Sequence, residues 1–451
     1  MKSSLALAAT LLSATASAQT PLDPAALRDA ALEDELAWDI TEGLTTEIGP
    51  RPAGSAAEAR ARDWGADRLR ALGFQDVRIE TFPVPVWERG TESAFVTAPF
   101  PQPLHLIALG NSGSTPRDGI TGEVAMFDSV AALEAAPDEA VAGKIVYIGH
   151  AMRATQSGIG YGQFGAPRRQ GPSIASRKGA AAIVVRSIGT DDSSVGHTGV
   201  QTFAQGVQPI PAAALANSSA DQLERIAARG EPVRMRLVLT SRQTGNHDSG
   251  NVIAEVPGRD PDAGIVLVGC HLDSWDVGTG AIDDASGCGI VTAAAKRVMD
   301  AGTPRRPIRI VWFGSEEIGL FGGAAYGEAH ADEKHALAAE SDFGADAIWR
   351  FDSDLTDGAA PVAARMAAAL APLGIAQGPT DAAHGSDIGP LAEAGVGIVQ
   401  LQQDGTRYFD WHHTAEDTLD KVDKPQLQQN VAAWTAMIAV AANAEEDMLA
   451  D

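Results

Sequence analysis

The stretch Gly264–Gly289, with the sequence GIVLVGCHLDSWDVGTGAIDDASGCG, decides both the fold and the site of this chain. Its aliphatic run Ile265–Val268 predicts a short strand that is buried on both faces of a sheet. A run of small residues that begins at Asp283 predicts the start of a helix. His271 and Asp273 lie between the two elements, where the strand gives way to a loop. Ligand clefts of open α/β sheets lie at such strand ends, so this stretch predicts a metal site.

Length and charge narrow the class of protein. The chain has 451 residues, of which 45% are hydrophobic, and this is enough for a large core and for two or more folding units. Its formal net charge is -25. An acidic surface repels the phosphates of nucleic acids and favours solubility, so we exclude nucleic acid as a partner.

The amino-terminal segment Met1–Ala18 has the pattern of a secretory signal peptide. Lys2 precedes the apolar run Leu5–Leu12, and Ala16–Ala18 has the A-x-A pattern of a cleavage site. The apolar run is too short to span a bilayer. We therefore expect cleavage after Ala18 and a secreted or periplasmic protein without a membrane span.

Two cysteines, Cys270 and Cys288, flank the predicted site. Two cysteines do not make a disulfide framework. A single bridge after export and two buried thiols that only fill space fit the sequence equally well. The neighbouring acids and histidines supply enough ligands for a metal, so we do not assign the cysteines to it.

The amino-acid composition of the sequence changes between residues 91 and 242. Pro, Gly and short strand-like runs dominate there, which predicts a smaller α/β domain inserted into the main one. Within the insert, the Gly- and Gln-rich segment Gly158–Gly171 predicts an exposed loop. The remainder of the mature chain, residues 19–90 and 243–451, alternates strands with helices. That alternation predicts an α/β fold with a mostly parallel central sheet and helices on both faces.

Residues of the kinds that bind metals follow several predicted strands of the main domain. Two acids follow the strand at 308–313, one acid follows the strand at 335–339, and two histidines follow the strand at 397–401; they are Glu316, Glu317, Asp342, His412 and His413. The carboxyl ends of parallel strands meet at one crevice, so we expect these side chains to converge with His271. Histidines with carboxylates suit zinc, and the acids outnumber what one ion needs, which suggests two ions.

Each of these groups of acids and histidines also has an explanation that involves no metal. Adjacent glutamates often stabilise the first turn of a helix, and a histidine pair in a polar loop is often only solvated. Asp283 and Asp284 could form a plain helix cap, and Asp352 and Asp354 compete with Asp342 as ligands. Co-occurrence at successive strand ends favours a shared metal site over these separate explanations.

Five segments resemble the double-zinc aminopeptidase family in order and spacing: HLDSWD, GAIDDASG, SEEIGLFGGAAY, ESDFG and WHHTAEDT. The likeness extends from about Asp29 to the carboxyl terminus. In the insert, VAGKIVYIG, RKGAAAIVV and QPIPAAALA are similar to the protease-associated domain that such enzymes carry. The resemblance implies the zinc aminopeptidase fold and a peptidase activity.

The resemblance also implies which residues hold the metals. It gives one zinc to His271 and Asp342 and the other to Glu317 and His413, and it makes Asp283 the bridge between them. Two neighbouring cations need such a bridging carboxylate, and together they lower the pKa of a shared water towards neutrality.

The same resemblance assigns the catalytic groups. Glu316 becomes the general base that moves a proton from the water to the leaving amine. Asp273 holds the second ring nitrogen of His271. His412 stands where several relatives have a tyrosine, and it would donate a hydrogen bond to the oxyanion. Asp387, in the segment GSDIGP, belongs to the site wall and is not a ligand.

These roles predict an exported metallopeptidase that hydrolyses the peptide bond next to a free amino terminus in dipeptides or short peptides. Its cofactor would be two Zn2+ ions per subunit, with Co2+ or Mn2+ compatible with the same geometry. The resemblance also suggests a homodimer. Two other readings are a glutaminyl-cyclase-like acyltransferase on the same scaffold and a receptor-like binding module that has lost its ligands. The intact ligand set weighs against both.

Overall fold

The computed structural model describes residues 22–449 and contains two eight-stranded sheets. In chain order the strands are β1 (Gln75–Glu88), β2 (Glu92–Ala98), β3 (Gln102–Leu104), β4 (Leu106–Ala108), β5 (Ile120–Phe127), β6 (Ile145–Ile148), β7 (Ala182–Arg186), β8 (Ala212–Leu215), β9 (Arg234–Leu239), β10 (Arg242–Val256), β11 (Ile265–His271), β12 (Ile308–Phe313), β13 (His335–Glu340), β14 (Ile348–Asp354), β15 (Ala376–Gln377) and β16 (Gly397–Gln403). The α-helices are Pro24–Ala31, Leu36–Gly43, Ala56–Ala71, Val130–Ala135, Gly160–Phe164, Ala166–Arg169, Gly171–Arg177, Asn217–Ala227, Ser286–Ala301, Phe321–Ala329, Ala360–Leu370, Gly389–Glu393, Tyr408–Trp411 and Lys424–Ala441. Short 3₁₀ or π turns occupy Leu44–Ile48, Asp138–Ala140, Pro261–Ala263, Ala281–Ala285, Asp357–Ala359, Ala371–Leu373 and Leu419–Lys421.

The first sheet has the strand order β1-β10-β12-β11-β13-β16-β14-β15. Its central strands β12, β11, β13 and β16 are parallel, while β10 and β14 run antiparallel to their neighbours in this centre. Val266 packs into the core beneath the helix Ser286–Ala301, whereas Leu267 clusters with Tyr326 of a helix on the opposite face. The predicted α/β fold, with a mostly parallel sheet and helices on both faces, is confirmed.

Strand β11 continues to His271, past its predicted end at Val268. Gly269 stays in the strand because the ring of Phe313 leaves no room for a side chain there: a Cβ at this position would lie 2.7 Å from Phe313 Cε2. His271 pairs with Phe313 at the end of the parallel ladder. The strand therefore delivers the imidazole directly to the carboxyl edge of the sheet.

The second sheet has the strand order β3-β2-β9-β5-β6-β7-β8-β4. All of its strands come from the segment between Glu92 and Leu239, and the antiparallel pair β1 and β10 leads into and out of it. These strands fall within the predicted insert, residues 91–242. The assignment of the insert to the protease-associated domain remains a prediction.

The segment Gly158–Gly171 is not the exposed loop that its composition predicted. It contains the short helices Gly160–Phe164 and Ala166–Arg169. The ring of Tyr161 stacks on Phe409 of the main domain, with 4.8 Å between the ring centroids. Aromatic packing thus orders a segment whose many glycines suggested solvent exposure.

A disulfide joins Cys270 to Cys288, with the two Cα atoms 5.1 Å apart. It ties the end of β11 to the first turn of the helix Ser286–Ala301. Of the two interpretations that the sequence allowed, the structure has the bridge.

Among the described residues, no helix combines the length and the apolar character needed to cross a membrane. The predicted signal peptide, Met1–Ala18, lies outside these residues.

Candidate metal centre

His271 is held so that one ring nitrogen faces two carboxylates. Its Nδ1 lies 2.9 Å from the backbone carbonyl oxygen of Asp273. A carbonyl only accepts, so Nδ1 donates a proton to it, and Nε2 is the ring nitrogen that can bind a metal. This Nε2 lies 3.0 Å from Asp283 Oδ1 and 3.3 Å from Asp342 Oδ1. The ring is completely buried, so its orientation is also fixed by packing.

Asp283 and Asp284, which a cis peptide bond joins, have different partners. Asp284 Oδ2 accepts the backbone N–H of His271 at 3.1 Å, and its Oδ1 accepts that of Gly287 at 3.1 Å. Both oxygens of Asp284 are therefore committed to the backbone. Asp283 Oδ2, by contrast, is buried and has no hydrogen-bond partner among residues 22–449. Of the two acids, Asp283 is the one with a free oxygen to offer.

Glu316 and Glu317 lie in a tight turn after β12 and not in a helix, because the next helix begins only at Phe321. The helix-dipole explanation for this pair is therefore wrong. Asp273 holds the turn: its Oδ1 accepts the Glu316 N–H at 3.0 Å and its Oδ2 accepts the Glu317 N–H at 3.3 Å. The carboxylate of Asp273 is 3.8 Å from His271 Nδ1, too far for the predicted hydrogen bond, which the Asp273 carbonyl makes instead.

His413 faces both Glu317 and Asp283. Its Nε2 lies 2.9 Å from Glu317 Oε2 and 3.4 Å from Asp283 Oδ2. Its Nδ1 lies 3.3 Å from the carbonyl oxygen of Thr198, and the Thr198 N–H donates to the His413 carbonyl at 3.0 Å. Thr198 belongs to the insert, so the insert orients this histidine. With a φ of 61°, His413 also adopts the left-handed conformation, which is uncommon for residues other than glycine.

His412 packs against His413, with 3.5 Å between their ring centroids. Its Nε2 lies 3.4 Å from Asp283 Oδ2, and its Nδ1 is buried without a hydrogen-bond partner in the described part of the chain. Burial, helped by the charge of Arg168, lowers the pKa of His412 well below its ordinary value. The pair is 6% and 9% exposed, so it is not the solvated loop pair of the ordinary explanation.

Asp342 follows β13 and completes the group around His271. Its Oδ2 accepts a hydrogen bond from Ser386 Oγ at 3.2 Å. The competing acids lie elsewhere, within β14, where Asp352 pairs with Arg350 at 2.7 Å. Asp387 is buried in the wall beside the site, where its Oδ1 accepts the N–H of Gly323 at 3.1 Å.

The crowded carboxylates create an excess of negative charge. Burial raises the pKa of Glu316 well above its ordinary value, and Asp342 raises it further. Burial and then Asp283 raise the pKa of Glu317 in the same way. Burial alone would lower the pKa of His271, but the Asp342 and Asp283 carboxylates outweigh it and hold that pKa well above the usual range. Buried carboxylates that lie close together repel one another and therefore hold protons more tightly. A divalent cation can replace those protons, because it supplies the positive charge that the cluster lacks.

This donor set fits zinc. Imidazole nitrogens and carboxylate oxygens are the ligands that zinc takes in catalytic sites. Asp283 presents Oδ1 to His271 and Oδ2 to His413, so one carboxylate faces both histidines. Glu317 Oε1, like Asp283 Oδ2, is buried without a hydrogen-bond partner among the residues described. The nearby sulfur atoms do not compete, because they form the disulfide.

A cavity of about 450 Å³ opens over this group, and both domains line it. The main domain contributes Glu316, Asp342 and His413, and the insert contributes Tyr161 and Arg168. Sequence reasoning missed the two insert residues, as well as Thr198. The available signal was the pairing of aromatic and basic residues in YGQFGAPRR, within a segment that otherwise reads as a loop.

The sequence of this chain is similar to those of known peptidases. Residues 251–438 match the model of the family described as Peptidase family M28. Carboxypeptidase Q of Bos taurus is 32% identical over 406 residues, which cover 89% of this chain and 84% of that protein. The sequence motifs also resemble those of carboxypeptidase Q, or plasma glutamate carboxypeptidase, and this match confirms the resemblance.

Two solved structures are similar over nearly the whole chain. A peptidase M28 precursor from Shewanella amazonensis SB2B is 44% identical, with a TM-score of 0.92 and coverage of 94% of this chain and 97% of that one. A protein described as a zinc aminopeptidase from Bacillus subtilis is 21% identical, with a TM-score of 0.65 and coverage of 92% and 98%. The second likeness is one of fold.

Proposed function

The chain belongs to peptidase family M28, and from that membership we propose that it is a two-zinc exopeptidase acting on peptides with a free amino terminus. Membership makes it a metallopeptidase, an enzyme that hydrolyses peptide bonds. The number of ions, the catalytic roles and the substrate class are our proposal. The observation that supports it most is the carboxylate of Asp283, which presents one oxygen to His271 and the other to His413.

In this proposal five side chains hold the metal ions. His271 and Asp342 hold one zinc, Glu317 and His413 hold the second, and Asp283 bridges the two. The short distances between these groups and their unpartnered oxygens support the assignment. The zinc in the description of the Bacillus subtilis aminopeptidase, which has the same fold, supports the choice of metal.

Glu316 is the proposed general base. Zinc at this site would supply a Lewis acid for the scissile carbonyl and would favour ionisation of the attacking water. Glu316 takes the proton of that water while the new C–O bond forms, and it then gives the proton to the amine nitrogen as the C–N bond breaks. Burial, and then the charge of Asp342, raise the pKa of Glu316 above its ordinary value, so this carboxylate is a stronger base than an exposed glutamate. Asp273 keeps Glu316 in position through the backbone N–H.

A relative of the same fold supports a substrate with a free amine. A Bacillus subtilis protein of this fold is described as a zinc aminopeptidase, and an aminopeptidase acts on peptides with a free amino terminus. We therefore propose dipeptides or short peptides as substrates, cleaved at the bond that follows the first residue.

The test is release of amino acids from unblocked dipeptides, measured with the purified protein before and after chelation. We expect activity to be lost on chelation and to return with Zn2+, with two zinc ions per chain by elemental analysis. Glu316→Gln should lower kcat by about 100- to 10,000-fold at unchanged zinc content. Glu328→Gln, on the exposed face of the next helix, is the matched control and should have no effect. Activity that survives both full zinc removal and Glu316→Gln would overturn the mechanism.

The same purified protein distinguishes the proposed peptidase from a receptor-like module and from a cyclase. A receptor-like module would bind no stoichiometric zinc, and a cyclase would convert peptides with amino-terminal glutamine to pyroglutamyl peptides without hydrolysing them. Reloading with Co2+ or Mn2+ tests the alternative ions.

Export with cleavage after Ala18, and the homodimer that the family resemblance suggests, are further predictions. Sequencing of the mature amino terminus and sedimentation of the purified protein test them.

A further inference from the structure

Tyr161 reaches the metal centre from the insert. It lines the same cavity as Asp283 and Glu316. Its ring stacks on Phe409 at 4.8 Å and meets the ring of His412 edge to face, with 4.9 Å between the centroids and 83° between the planes. Packing on two sides fixes the plane of the ring. The phenol is therefore a rigid group beside the reacting centre.

Arg168 determines whether the hydroxyl of Tyr161 acts as a hydrogen-bond donor or acceptor towards the cavity. Arg168 Nη2 lies 2.6 Å from the hydroxyl oxygen of Tyr161, and Nη1 donates to the Thr198 carbonyl at 3.1 Å. A guanidinium has donors and no acceptor, so the tyrosine oxygen must accept this bond. The tyrosine proton then needs another acceptor, and no protein atom of residues 22–449 fills that role. The positive charge beside the oxygen makes the O–H a stronger donor.

His412 is less suited to this task. Its Nε2 lies beside Asp283 Oδ2, at 3.4 Å, and its Nδ1 is buried. A neutral imidazole has one N–H. Nε2 of His412 faces the proposed bridging carboxylate and Nδ1 is enclosed by protein, whereas the proton of Tyr161 has no protein acceptor among residues 22–449.

We propose that Tyr161 is a catalytic residue that donates a hydrogen bond to the peptide oxygen as negative charge develops on it, and that Arg168 positions the hydroxyl. This inference rests on the proposed peptidase function. When water adds to the carbonyl carbon, the π electrons of the C=O bond move to the oxygen, and Tyr161 O–H stabilises that charge without transferring its proton. The ordinary pKa of tyrosine, about 10, keeps the donor protonated at neutral pH. The insert would therefore complete the reaction centre of the main domain.

Tyr161→Phe tests the proposal, because it removes the hydroxyl and keeps the packed ring. We expect kcat on an unblocked dipeptide to fall by about 100- to 1,000-fold, as for the loss of one oxyanion donor, while KM changes less than about threefold. Zinc content and Tm should match those of the wild type. A phosphinic analogue of the dipeptide, which carries the developing charge, should bind more weakly by the same factor as the loss in kcat.

Tyr147→Phe is the matched control. Tyr147 lies in the core of the insert, where its hydroxyl donates to Glu224 at 2.7 Å, and its loss should not change kcat. Arg168→Gln should lower kcat more in the wild type than in the Tyr161→Phe background, because the part of its effect that acts through the hydroxyl is already lost there.

Two results would overturn the inference. One is a Tyr161→Phe variant with the kcat of an active wild type; the other is a loss of kcat matched by an equal loss of zinc. A loss confined to His412→Phe would return the donor role to His412. If the wild type cleaves no peptide, the proposed function fails instead, and zinc content together with the binding of the phosphinic analogue still reports on Tyr161.

Discussion

The backbone N–H of Glu316 donates to Asp273 Oδ1 over 3.0 Å, so the proposed general base is fastened to the loop that follows the neighbouring strand. Asp273 is completely buried, and its second oxygen accepts the N–H of Glu317. One side chain therefore sets the position of a proposed base and of a proposed ligand. Asp273 acts on the backbone of the turn, where the sequence had suggested an action on the ring of His271.

We predict that Asp273→Asn lowers kcat by about 10- to 100-fold and weakens zinc binding, because an amide oxygen can replace only one of the two carboxylate acceptors. Steady-state kinetics and elemental analysis measure both effects. Asp276→Asn, three residues further along the same loop, is the control. Its carboxylate pairs with Arg89 at 2.7 Å and makes no such bond to the turn, so equal losses in the two variants would contradict the assignment.

Removal of the disulfide should destabilise the fold. Cys270 and Cys288 enclose a loop with a sequence separation of 18, and closure of a loop of this size is worth about 3 kcal/mol. We expect the double variant Cys270→Ala, Cys288→Ala to lose about that free energy of unfolding in urea titrations. Its midpoint should no longer respond to reductant, while that of the wild type should. A wild-type midpoint that is the same with and without reductant would contradict this prediction.

Gly199 separates Arg168 from His413. Its φ is 137°, and a Cβ there would overlap Arg168 Nη1 and lie 3.0 Å from His413 Nδ1. We predict that Gly199→Ala weakens zinc binding by about 10- to 100-fold, because it disturbs the groups that orient the proposed ligand. Competition with a chromophoric chelator measures this affinity. Gly206→Ala is the control, since Gly206 has a φ of 78° but nothing within 4 Å of the added carbon. Zinc affinities that are equally weakened in the two variants would contradict the prediction, because the contacts with Arg168 and His413 would then not be the cause.

The segment that carries His412 is also held by a pair in the insert, the buried His197 and the half-buried Asp191. His197 Nδ1 donates to the His412 carbonyl at 2.8 Å, and its Nε2 lies 2.6 Å from Asp191 Oδ1. Burial alone would raise the pKa of Asp191, but the hydrogen bonds from His197 and Ser193 lower it to about 2. The folded-state pKa is thus below the unfolded one, so the stabilisation is complete above a pH of about 4 and is lost as the pH falls towards about 2.

We therefore expect Asp191→Asn to be less stable than the wild type at pH 7 and the difference to shrink between about pH 4 and pH 2. Urea titrations of the metal-free proteins at each pH measure it, because chelation removes the separate effect of zinc loss in acid. A difference that stays constant from pH 7 to pH 2 would contradict the role of the Asp191 carboxylate.

Much of the fold and the site could be predicted from the main-domain sequence. Buried strands such as Ile308–Phe313 are unbroken aliphatic and aromatic runs, and the topology of parallel strands brings the residues after them together. That reasoning located Glu317 and His413 near His271 from residues far apart in the chain. It ended β11 too early, because the need for glycine at position 269 arises from a ring on the neighbouring strand.

The contributions of the insert could not be predicted in this way. Nothing in the local pattern around Tyr161 or Thr198 shows that the insert folds back over the carboxyl edge of the first sheet. Their positions depend on packing between two domains, and periodicity within one segment carries no information on it. The disulfide is similar, since a separation of 18 residues permits the bridge without requiring it. The role of Asp273 depends on hydrogen bonds to the backbone, which leave no mark on residue type.

The late position of His413 in the chain has a consequence for biosynthesis. A ribosome makes the polypeptide from its amino terminus, so this histidine emerges after the other four proposed ligands and after Thr198, which orients it. A chain that stops before residue 413 thus carries the insert and the proposed acidic ligands but lacks the histidine of the proposed second ion. On this ligand assignment, such a fragment has an incomplete metal centre even where its insert is folded.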